Sequence, residues 1–139
     1  MICLECGSDM HVSSDPITEN FRGEELTITG ITYHLCDHCG EIMFDAQEGE
    51  KYDALLVEQY AKRVGLLTPC EIKQIRKKYD VNQQEFEKIL GVSTPSVSRW
   101  ETGRVPQSKP VDILMRILDT HPDVMEERMR QTEIHHVRT

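Results

Sequence analysis

The chain has 139 residues, of which 24 are Asp or Glu and 16 are Lys or Arg, so its net charge is −8 at pH 7. Apolar residues make up 38% and charged residues 29%, a balance typical of globular proteins, and no run of apolar residues is long enough to predict a membrane span. No basic region followed by an apolar run opens the sequence, so we expect a cytoplasmic protein rather than a secreted one. Because cytoplasmic thiols stay reduced, disulfides are a poor explanation for its five cysteines.

Four of these cysteines form two Cys-x-x-Cys pairs, Cys3 with Cys6 and Cys36 with Cys39. Each such turn places two thiolates on one side of a tight loop, so two turns supply the four ligands of a tetrahedral zinc site. Four thiolates also fill the coordination shell, which predicts one structural Zn²⁺ per chain rather than a catalytic one. A redox role is the alternative, although redox pairs usually accompany a βαβ pattern, which this stretch lacks. His34 and His38 could replace a ligand, but we expect both to be ordinary strand or loop residues.

The stretch between the two cysteine pairs predicts a small antiparallel sheet. Apolar residues alternate at Leu26 and Ile28 and change phase at Gly30, which predicts a bulge or tight turn there. The sequence FRGEE at 21–25 predicts a hairpin turn that leads back to an earlier strand around residues 12–21. A core of this size rarely supplies more than about 3–5 kcal/mol, so bound zinc is expected to make up the deficit.

Residues 45–65 predict a connector helix. Asp45 followed three residues later by Glu48 is typical of a capping box, and Gly65 marks the end of the pattern. The apolar residues of this segment recur at helical spacing and are expected to form core rather than bind a partner: Tyr52, Leu55, Leu56, Tyr60 and Val64. A boundary after this helix divides the chain into a zinc module with its connector, residues 1–66, and a second domain, residues 67–139.

The second domain shows three helix starts in succession, at Thr68 with Glu71, at Asn82 with Glu85, and at Ser93. Gly91 stands where the second helix should end with a positive φ, which predicts a helix-turn-helix formed by the second and third helices. The residues predicted to face the core are Ile72, Ile75, Tyr79, Phe86, Ile89, Leu90, Val97 and Trp100. Cys70, which lacks a pairing partner, is expected to pack inside. Residues 110–131 predict two further helices with apolar surface for the core and for a second copy of the chain.

If Val97 and Trp100 are buried, the remaining side chains of the third helix face solvent and form a surface suited to the DNA major groove. Arg99 is the long hydrogen-bonding side chain of that surface, so we expect it to bind a guanine edge, worth roughly 1–3 kcal/mol of discrimination. Thr94, Pro95 and Ser96 face the same way, and the two hydroxyl-bearing residues are expected to contact thymine methyls or phosphates.

Backbone phosphate contacts are predicted for Gln83, at the N-terminus of the second helix, and for Arg104 and Lys109, just beyond the third, or recognition, helix. The first helix of the second domain carries basic residues that are either further phosphate contacts or part of a solvated face: Lys73, Arg76, Lys77 and Lys78. Because one helix-turn-helix reads few base pairs, we expect a homodimer on a palindromic double-stranded operator.

Charge is distributed unevenly along the chain. Residues 1–67 hold 13 acidic and 4 basic residues, whereas residues 68–109 hold 8 basic and 5 acidic residues. This asymmetry indicates two partners of opposite charge, with a plain solvated acidic surface as the alternative. Mutation of Glu19, Glu24 and Glu25 would test whether this acidic surface meets a basic partner.

The segment VNQQEFEKILGVSTPSVSRWETG, residues 81–103, resembles the Xre/Cro family of helix-turn-helix domains. It departs from that family at Glu87, where the family usually has a small residue at the close approach of two helices. We expect the Glu87 side chain to bend toward solvent, which leaves the angle between the helices open.

Nearly the whole chain resembles the MqsA (YgiT-type) antitoxins, through MICLECG, the FRGEELTITGI hairpin, CDHCGE and the helix-turn-helix followed by ILDTHPD. The predicted elements give an α+β chain in which a small zinc-stapled antiparallel β module precedes an all-α Cro-like helix-turn-helix domain. Because no set of catalytic residues surrounds the metal site or a reactive thiol, we expect no enzymatic activity. The resemblance implies that the zinc module binds and neutralises a toxin, usually an mRNA-cleaving ribonuclease, and that the helical domain dimerises and represses the operon. Since a ribonuclease must bind RNA, we expect the surface of such a toxin to be basic. The alternative is a zinc-containing Xre-type transcriptional regulator without a toxin partner. The tail that contains His135 and His136 is expected to be disordered rather than metal-binding.

Overall fold

The computed structural model describes residues 1–134 and divides the chain into two compact units, Met1–Tyr60 and Ala61–Thr139. The elements in chain order are β1 (Met10–Ser13), β2 (Ile17–Phe21), β3 (Glu24–Ile28), β4 (Tyr33–Cys36), β5 (Ile42–Met43), α1 (Ala46–Val64), α2 (Pro69–Lys78), α3 (Gln83–Leu90), α4 (Ser96–Glu101), α5 (Lys109–Thr120) and α6 (Pro122–Gln131). The predicted α+β class is confirmed, because antiparallel strands precede a helical part. The expectation for His135 and His136 concerns residues outside the described range.

The strands of the first unit form two antiparallel sheets, one of β1, β4 and β5 in the order β1-β4-β5 and one of β2 with β3. The predicted hairpin is confirmed, since Phe21 pairs with Glu24 across the turn. The single strand expected around residues 12–21 is instead two strands in different sheets. Pro16 lies between them and cannot donate a ladder hydrogen bond, while the Asp15 backbone N–H bonds the Ser13 hydroxyl at 3.2 Å and turns the chain.

Helix α1 supplies much of the core of the first unit. Its residues Tyr52 and Leu56 are buried in one cluster with strand residues such as Leu26, and Leu55 and Tyr60 pack against this cluster. The predicted apolar stripe is therefore confirmed as core as far as Tyr60, whereas Val64 is partly buried outside this cluster. The Asp45 side chain accepts a hydrogen bond from the Glu48 backbone at 2.8 Å, as a capping box requires. The carboxylate of Glu48 instead accepts the Thr32 backbone N–H at 3.2 Å, so this half of the box ties the helix to the loop before β4.

The second unit begins its helices where the sequence predicts. Thr68 with Glu71 starts α2 and Asn82 with Glu85 starts α3, and both form complete capping boxes. Gly91 ends α3 with a φ of 74°, as expected for a left-handed cap. The eight predicted core residues are all buried in one cluster with Met115, Leu118, Met125 and Met129 of the last two helices.

Two local predictions in this unit are wrong. Ser93 does not cap the third helix, because α4 begins three residues later at Ser96 and its N-cap residue makes no side-chain capping bond. Cys70 is exposed rather than packed inside. It lies about 200° around α2 from the buried Ile72, and it therefore shares the solvent face with Gln74, whose amide approaches its sulfur at 3.7 Å.

The segment that leads into α2 is held by a buried carboxylate of α5. Asp112 is fully buried and accepts the Leu67 backbone N–H at 2.7 Å. Gln107 donates to the same carboxylate oxygen at 3.0 Å and to the Leu67 carbonyl at 2.9 Å. Arg116 completes the network, since it pairs with Asp112 at 2.9 Å and bonds the Gly65 carbonyl at 3.0 Å. The segment 65–67 is thus part of the helical unit.

Candidate functional site

The four cysteines of the two Cys-x-x-Cys pairs lie together in the first unit. Their Sγ atoms are all within 4.8 Å of one another, and the closest pairs join the two turns, with Cys3–Cys39 at 3.6 Å and Cys6–Cys36 at 3.4 Å. A zinc ion with Zn–S bonds of about 2.3 Å holds its sulfur ligands about 3.8 Å apart. The donor set and its spacing therefore fit a tetrahedral ion of the size of Zn²⁺.

Matching backbone turns position the two pairs. The Gly7 N–H bonds the Cys3 carbonyl at 2.9 Å, and the Gly40 N–H bonds the Cys36 carbonyl at 2.8 Å. Both glycines have a φ near 78°, at 77° and 78°, a conformation that residues with a Cβ rarely adopt. The first cysteine of each pair is buried and the second is exposed, so the cluster has one side closed by protein and one side open to solvent.

Neighbouring groups shift the pKa values of two of the four thiols in opposite directions. Hydrogen bonds from the side chain and backbone of Ser8 lower the pKa of Cys6 to about 6. A hydrogen bond from the Glu41 backbone lowers the pKa of Cys39, but loss of hydration and the three other thiols outweigh it and raise this pKa to about 12. Such a cluster holds protons that a divalent cation would displace on binding. Among the described residues the candidate metal group consists of the four cysteines, and neither His34 nor His38 belongs to it.

The second candidate site is the exposed surface of the helix-turn-helix. Val97 and Trp100 are buried, and this burial leaves Thr94, Pro95 and Arg99 exposed, with Ser96 partly buried beside them. Arg104 and Lys109 are exposed beyond the end of α4. The Arg104 backbone N–H donates to the Arg99 carbonyl at 2.9 Å, and this bond holds Arg104 close to the C-terminal end of α4.

Gln83 and Arg76 take part in an internal network. Arg76 forms two hydrogen bonds to the Glu101 carboxylate, with Nε–Oε2 at 2.8 Å and Nη2–Oε1 at 3.0 Å, and it also bonds the Val81 carbonyl. The Gln83 amide donates to Glu101 at 3.3 Å. The ion pair raises the pKa of Arg76 above its ordinary value. Arg76 therefore stabilises the packing of α2 on α4, which is neither of the two roles considered from the sequence.

The other basic residues of α2 differ from Arg76. Lys78 pairs with Asp119 at 3.1 Å, and this hydrogen bond raises the pKa of its ammonium group. Lys73 and Lys77 are exposed, so a phosphate contact is sterically open to them.

Glu87 contradicts the expectation that its side chain bends toward solvent. It is only 2% exposed, and its two carboxylate oxygens accept hydrogen bonds from the Thr94 hydroxyl and the Val97 backbone N–H, each at 3.1 Å. The turn between α3 and α4 brings these two donors over the helix, and they compensate the burial of the carboxylate. The only sequence signal for this role is an acidic residue at a position of α3 that the helical period assigns to the core.

The acidic residues of the β2–β3 hairpin are not equivalent. Glu19 accepts a hydrogen bond from the Tyr52 hydroxyl, which joins the hairpin to α1 and contributes to raising the pKa of this tyrosine beyond its ordinary range, after the larger effect of burial. Glu19 and Glu25 are both exposed, and Glu24 at the turn is partly buried. Because the Glu19 carboxylate already bonds Tyr52, a charged partner would meet Glu25 more directly. No helix within residues 1–134 is long and apolar enough to cross a membrane.

Comparison with known proteins places both sites in one family. The family model of MqsA, described as the antitoxin component of a bacterial toxin-antitoxin system, matches residues 1–130. The chain is 30% identical over 132 residues to Antitoxin MqsA of Escherichia coli (strain K12), a match that covers 91% of this chain and 98% of that protein.

Two other relatives match shorter parts of the chain. The HTH-type transcriptional regulator YiaG of Escherichia coli (strain K12) is 36% identical over 63 residues, which are 45% of this chain and 66% of that protein. Antitoxin HigA-2 of Vibrio cholerae is 27% identical over 86 residues, 60% of this chain and 82% of that protein. These relatives are named as antitoxins and a transcriptional regulator rather than as enzymes. Since the family match includes the four-cysteine cluster as well as the helix-turn-helix, the chain belongs to the MqsA antitoxin family.

Proposed function

We propose that the chain is an antitoxin that neutralises a cognate toxin through its first unit and represses its own operon through its second. The observation that carries this proposal is the presence of both candidate sites within the single family match over residues 1–130. The match to the transcriptional regulator YiaG covers 45% of the chain. By itself, that match would support only the alternative function, a transcriptional regulator without a toxin partner. We place the protein in the cytoplasm, because both proposed partners, an mRNA-cleaving toxin and DNA, are found there.

The proposed cofactor is one structural Zn²⁺ per chain, held by Cys3, Cys6, Cys36 and Cys39. The ion would supply cross-links between the segment before β1 and the turn after β4, in a unit whose apolar core is small. Its four thiolate ligands leave no coordination position for a substrate, which fits a binding protein.

The proposed toxin is a small basic ribonuclease, because a protein that grips RNA presents positive charge. The first 67 residues carry 13 acidic and 4 basic residues, so the zinc module offers the complementary sign. The role of residues 1–66 as toxin-binding module and of 67–139 as DNA-binding domain is part of this proposal.

The proposed DNA contacts follow the exposure of the helix-turn-helix. Arg99 would read a guanine edge, and Thr94, Pro95 and Ser96 would lie in the same major groove. Arg104 and Lys109 would bind backbone phosphates. Gln83 would also bind a phosphate, although its amide donates a hydrogen bond to Glu101.

A homodimer on a palindromic operator completes the proposal. Ile113 and Ile117 of α5 are 47% and 42% exposed, and they lie one helical turn apart on the same face. A second copy that covers this face would bury both side chains and bring two recognition helices to successive half-sites.

Co-expression with the product of the neighbouring gene tests both roles separately. The wild-type chain and Arg99→Ala should restore growth of cells that make the toxin, since Arg99 lies outside the zinc module. Arg99→Ala should fail to repress a reporter under the operon promoter, whereas the wild type represses it. If the chain represses the reporter but no neighbouring product impairs growth, the regulator without a toxin replaces the antitoxin. If Arg99→Ala represses as well as the wild type, the proposed DNA surface is wrong.

A further inference from the structure

The side chain and backbone of Glu87 organise the turn between α3 and α4. Its carbonyl oxygen accepts the backbone N–H groups of Gly91 at 2.9 Å and Val92 at 3.0 Å. Its buried carboxylate accepts the Thr94 hydroxyl and the Val97 N–H, each at 3.1 Å. One residue of α3 therefore determines how the chain enters the recognition helix, and it does so at a helix start where the N-cap residue Pro95 makes no side-chain capping bond.

The bond to Glu87 decides what the Thr94 hydroxyl can offer to a ligand. A threonine hydroxyl has one proton and two lone pairs. The single proton is directed at the Glu87 carboxylate, so the exposed side of the hydroxyl presents lone pairs only. Thr94 lies two residues before α4, next to its N-terminus, and the N-terminal residues of a recognition helix are those that contact base edges in the major groove.

This arrangement disfavours a phosphate at the same place. Phosphate oxygens are acceptors, and they can bind neither the lone pairs of Thr94 nor the Val97 N–H that Glu87 already occupies. Among base edges in the major groove, only the N6 amino group of adenine and the N4 amino group of cytosine donate hydrogen bonds.

We propose that Glu87 is a positioning residue that makes Thr94 an acceptor-only reader, which selects a base with an amino group in the major groove, adenine or cytosine, at one position of each operator half-site. The proposal rests on the DNA-binding role proposed above. It replaces the phosphate contact expected for Thr94 from the sequence, and it leaves Arg99 as the reader of a guanine.

The test is selection of DNA from a pool of randomised duplexes by the full chain and three variants, each checked for folding by circular dichroism. The wild type should prefer adenine or cytosine at one half-site position by on the order of fivefold, the lower end of the discrimination from good base contacts. Thr94→Val removes the hydroxyl with little change of shape and should abolish this preference. Thr94→Ser keeps the hydroxyl and should retain it.

Glu87→Gln gives the sharpest prediction because it changes the direction of one hydrogen bond. The Val97 N–H can only donate, so the Gln carbonyl should face it and the Gln amide should donate to Thr94. The Thr94 proton is then free to point outward beside the one remaining lone pair, so this position should also accept guanine or thymine, and the preference for adenine or cytosine should be lost. A residue that only stabilised the turn would lower affinity for all sequences and leave the preferred base unchanged.

The outcomes separate this inference from the function on which it rests. If the wild-type chain selects no sequence, the DNA-binding role itself fails and the inference fails with it. If it selects an operator and Thr94→Val selects the same bases, the inference is wrong while the function stands. Loss of the preference in Thr94→Ser as well as in Thr94→Val would show that the hydroxyl alone does not read the base and would also overturn it. Should Glu87→Gln not fold, the two Thr94 variants decide.

Discussion

Arg76 of α2 and Glu101 of α4 form a two-pronged ion pair that is largely shielded from water, with side chains 13% and 4% exposed. Their bonds of 2.8 and 3.0 Å join the first helix of the second unit to the end of the recognition helix. A bidentate pair of this kind holds the two helices in one geometry and leaves a buried charge without compensation when one partner is removed.

Arg76→Met should therefore lower the free energy of unfolding by about 3 kcal/mol, because the Glu101 carboxylate stays buried after its partner is lost. Urea denaturation followed by Trp100 fluorescence measures the change. Lys78→Met is the matched control on the same helix, since its pair with Asp119 is exposed and should contribute little. Equal losses in both variants would contradict the structural role of the Arg76 pair.

Acidification should weaken the hold of Asp112 on the segment 65–67. Burial alone would raise the pKa of Asp112, but hydrogen bonds from the Leu67 N–H, Arg116 and Gln107 outweigh it and lower this pKa. A lowered pKa in the folded state adds stability above the ordinary aspartate pKa of about 3.9, and this stability is lost as the pH falls through the folded-state pKa.

The unfolding free energy of Asp112→Asn should accordingly fall less steeply below about pH 4 than that of the wild type. Urea denaturation at a series of pH values measures both profiles. Asp123→Asn, which removes an exposed carboxylate of α6, controls for the loss of one negative charge. Parallel profiles for wild type and Asp112→Asn would show that the carboxylate does not stabilise the fold through its charge.

Removal of the metal should affect the first unit and spare the second. With a strong chelator, the β signal and the packing of Tyr52 should be lost, because the proposed ion would join segments that the small core cannot hold alone. DNA binding should persist, since the helical unit has its own core. Metal analysis should find one zinc per chain in the wild type and in Cys70→Ser, and less in Cys36→Ser. A zinc content that depended on Cys70 would contradict the assigned ligand set.

Base reading and phosphate binding should respond differently to mutation. Arg99→Ala should relax the base preference, because it removes the side chain assigned to a guanine edge. Lys109→Ala should weaken binding to all sequences alike and reduce the slope of log affinity against log salt concentration by about one. Titrations of operator and random DNA at several salt concentrations measure both effects. Equal losses on the two DNAs for Arg99→Ala would refute its role.

Local sequence signals predicted much of this molecule. The capping boxes at Thr68 and Asn82, the left-handed Gly91 and the buried periodicity of α2 and α3 depend on residues a few positions apart, so the sequence alone contains them. The four cysteines were predicted for a similar reason, because the Cys-x-x-Cys spacing itself defines half of a metal site.

The predictions that failed depend on neighbours distant in sequence. The helical period of α3 places Glu87 toward the core, but it does not show that the turn returns the two donors, Thr94 and Val97, over its carboxylate. Arg76 finds its partner 25 positions away. The cap expected at Ser93 is wrong for the same reason as the expectation for Glu87, since a side chain from the preceding helix bonds the N-terminus of α4 in its place.

The most direct test of the antitoxin assignment is native mass spectrometry of the chain captured, with whatever it binds, from its own host. We predict a dimer with one zinc per chain and a small basic protein bound to it. The bound protein should dissociate when the salt concentration is raised, because charge complementarity attracts it. A zinc-loaded dimer without a companion, from cells in which the operon is expressed, would contradict the toxin-neutralising role and favour a regulator that acts alone.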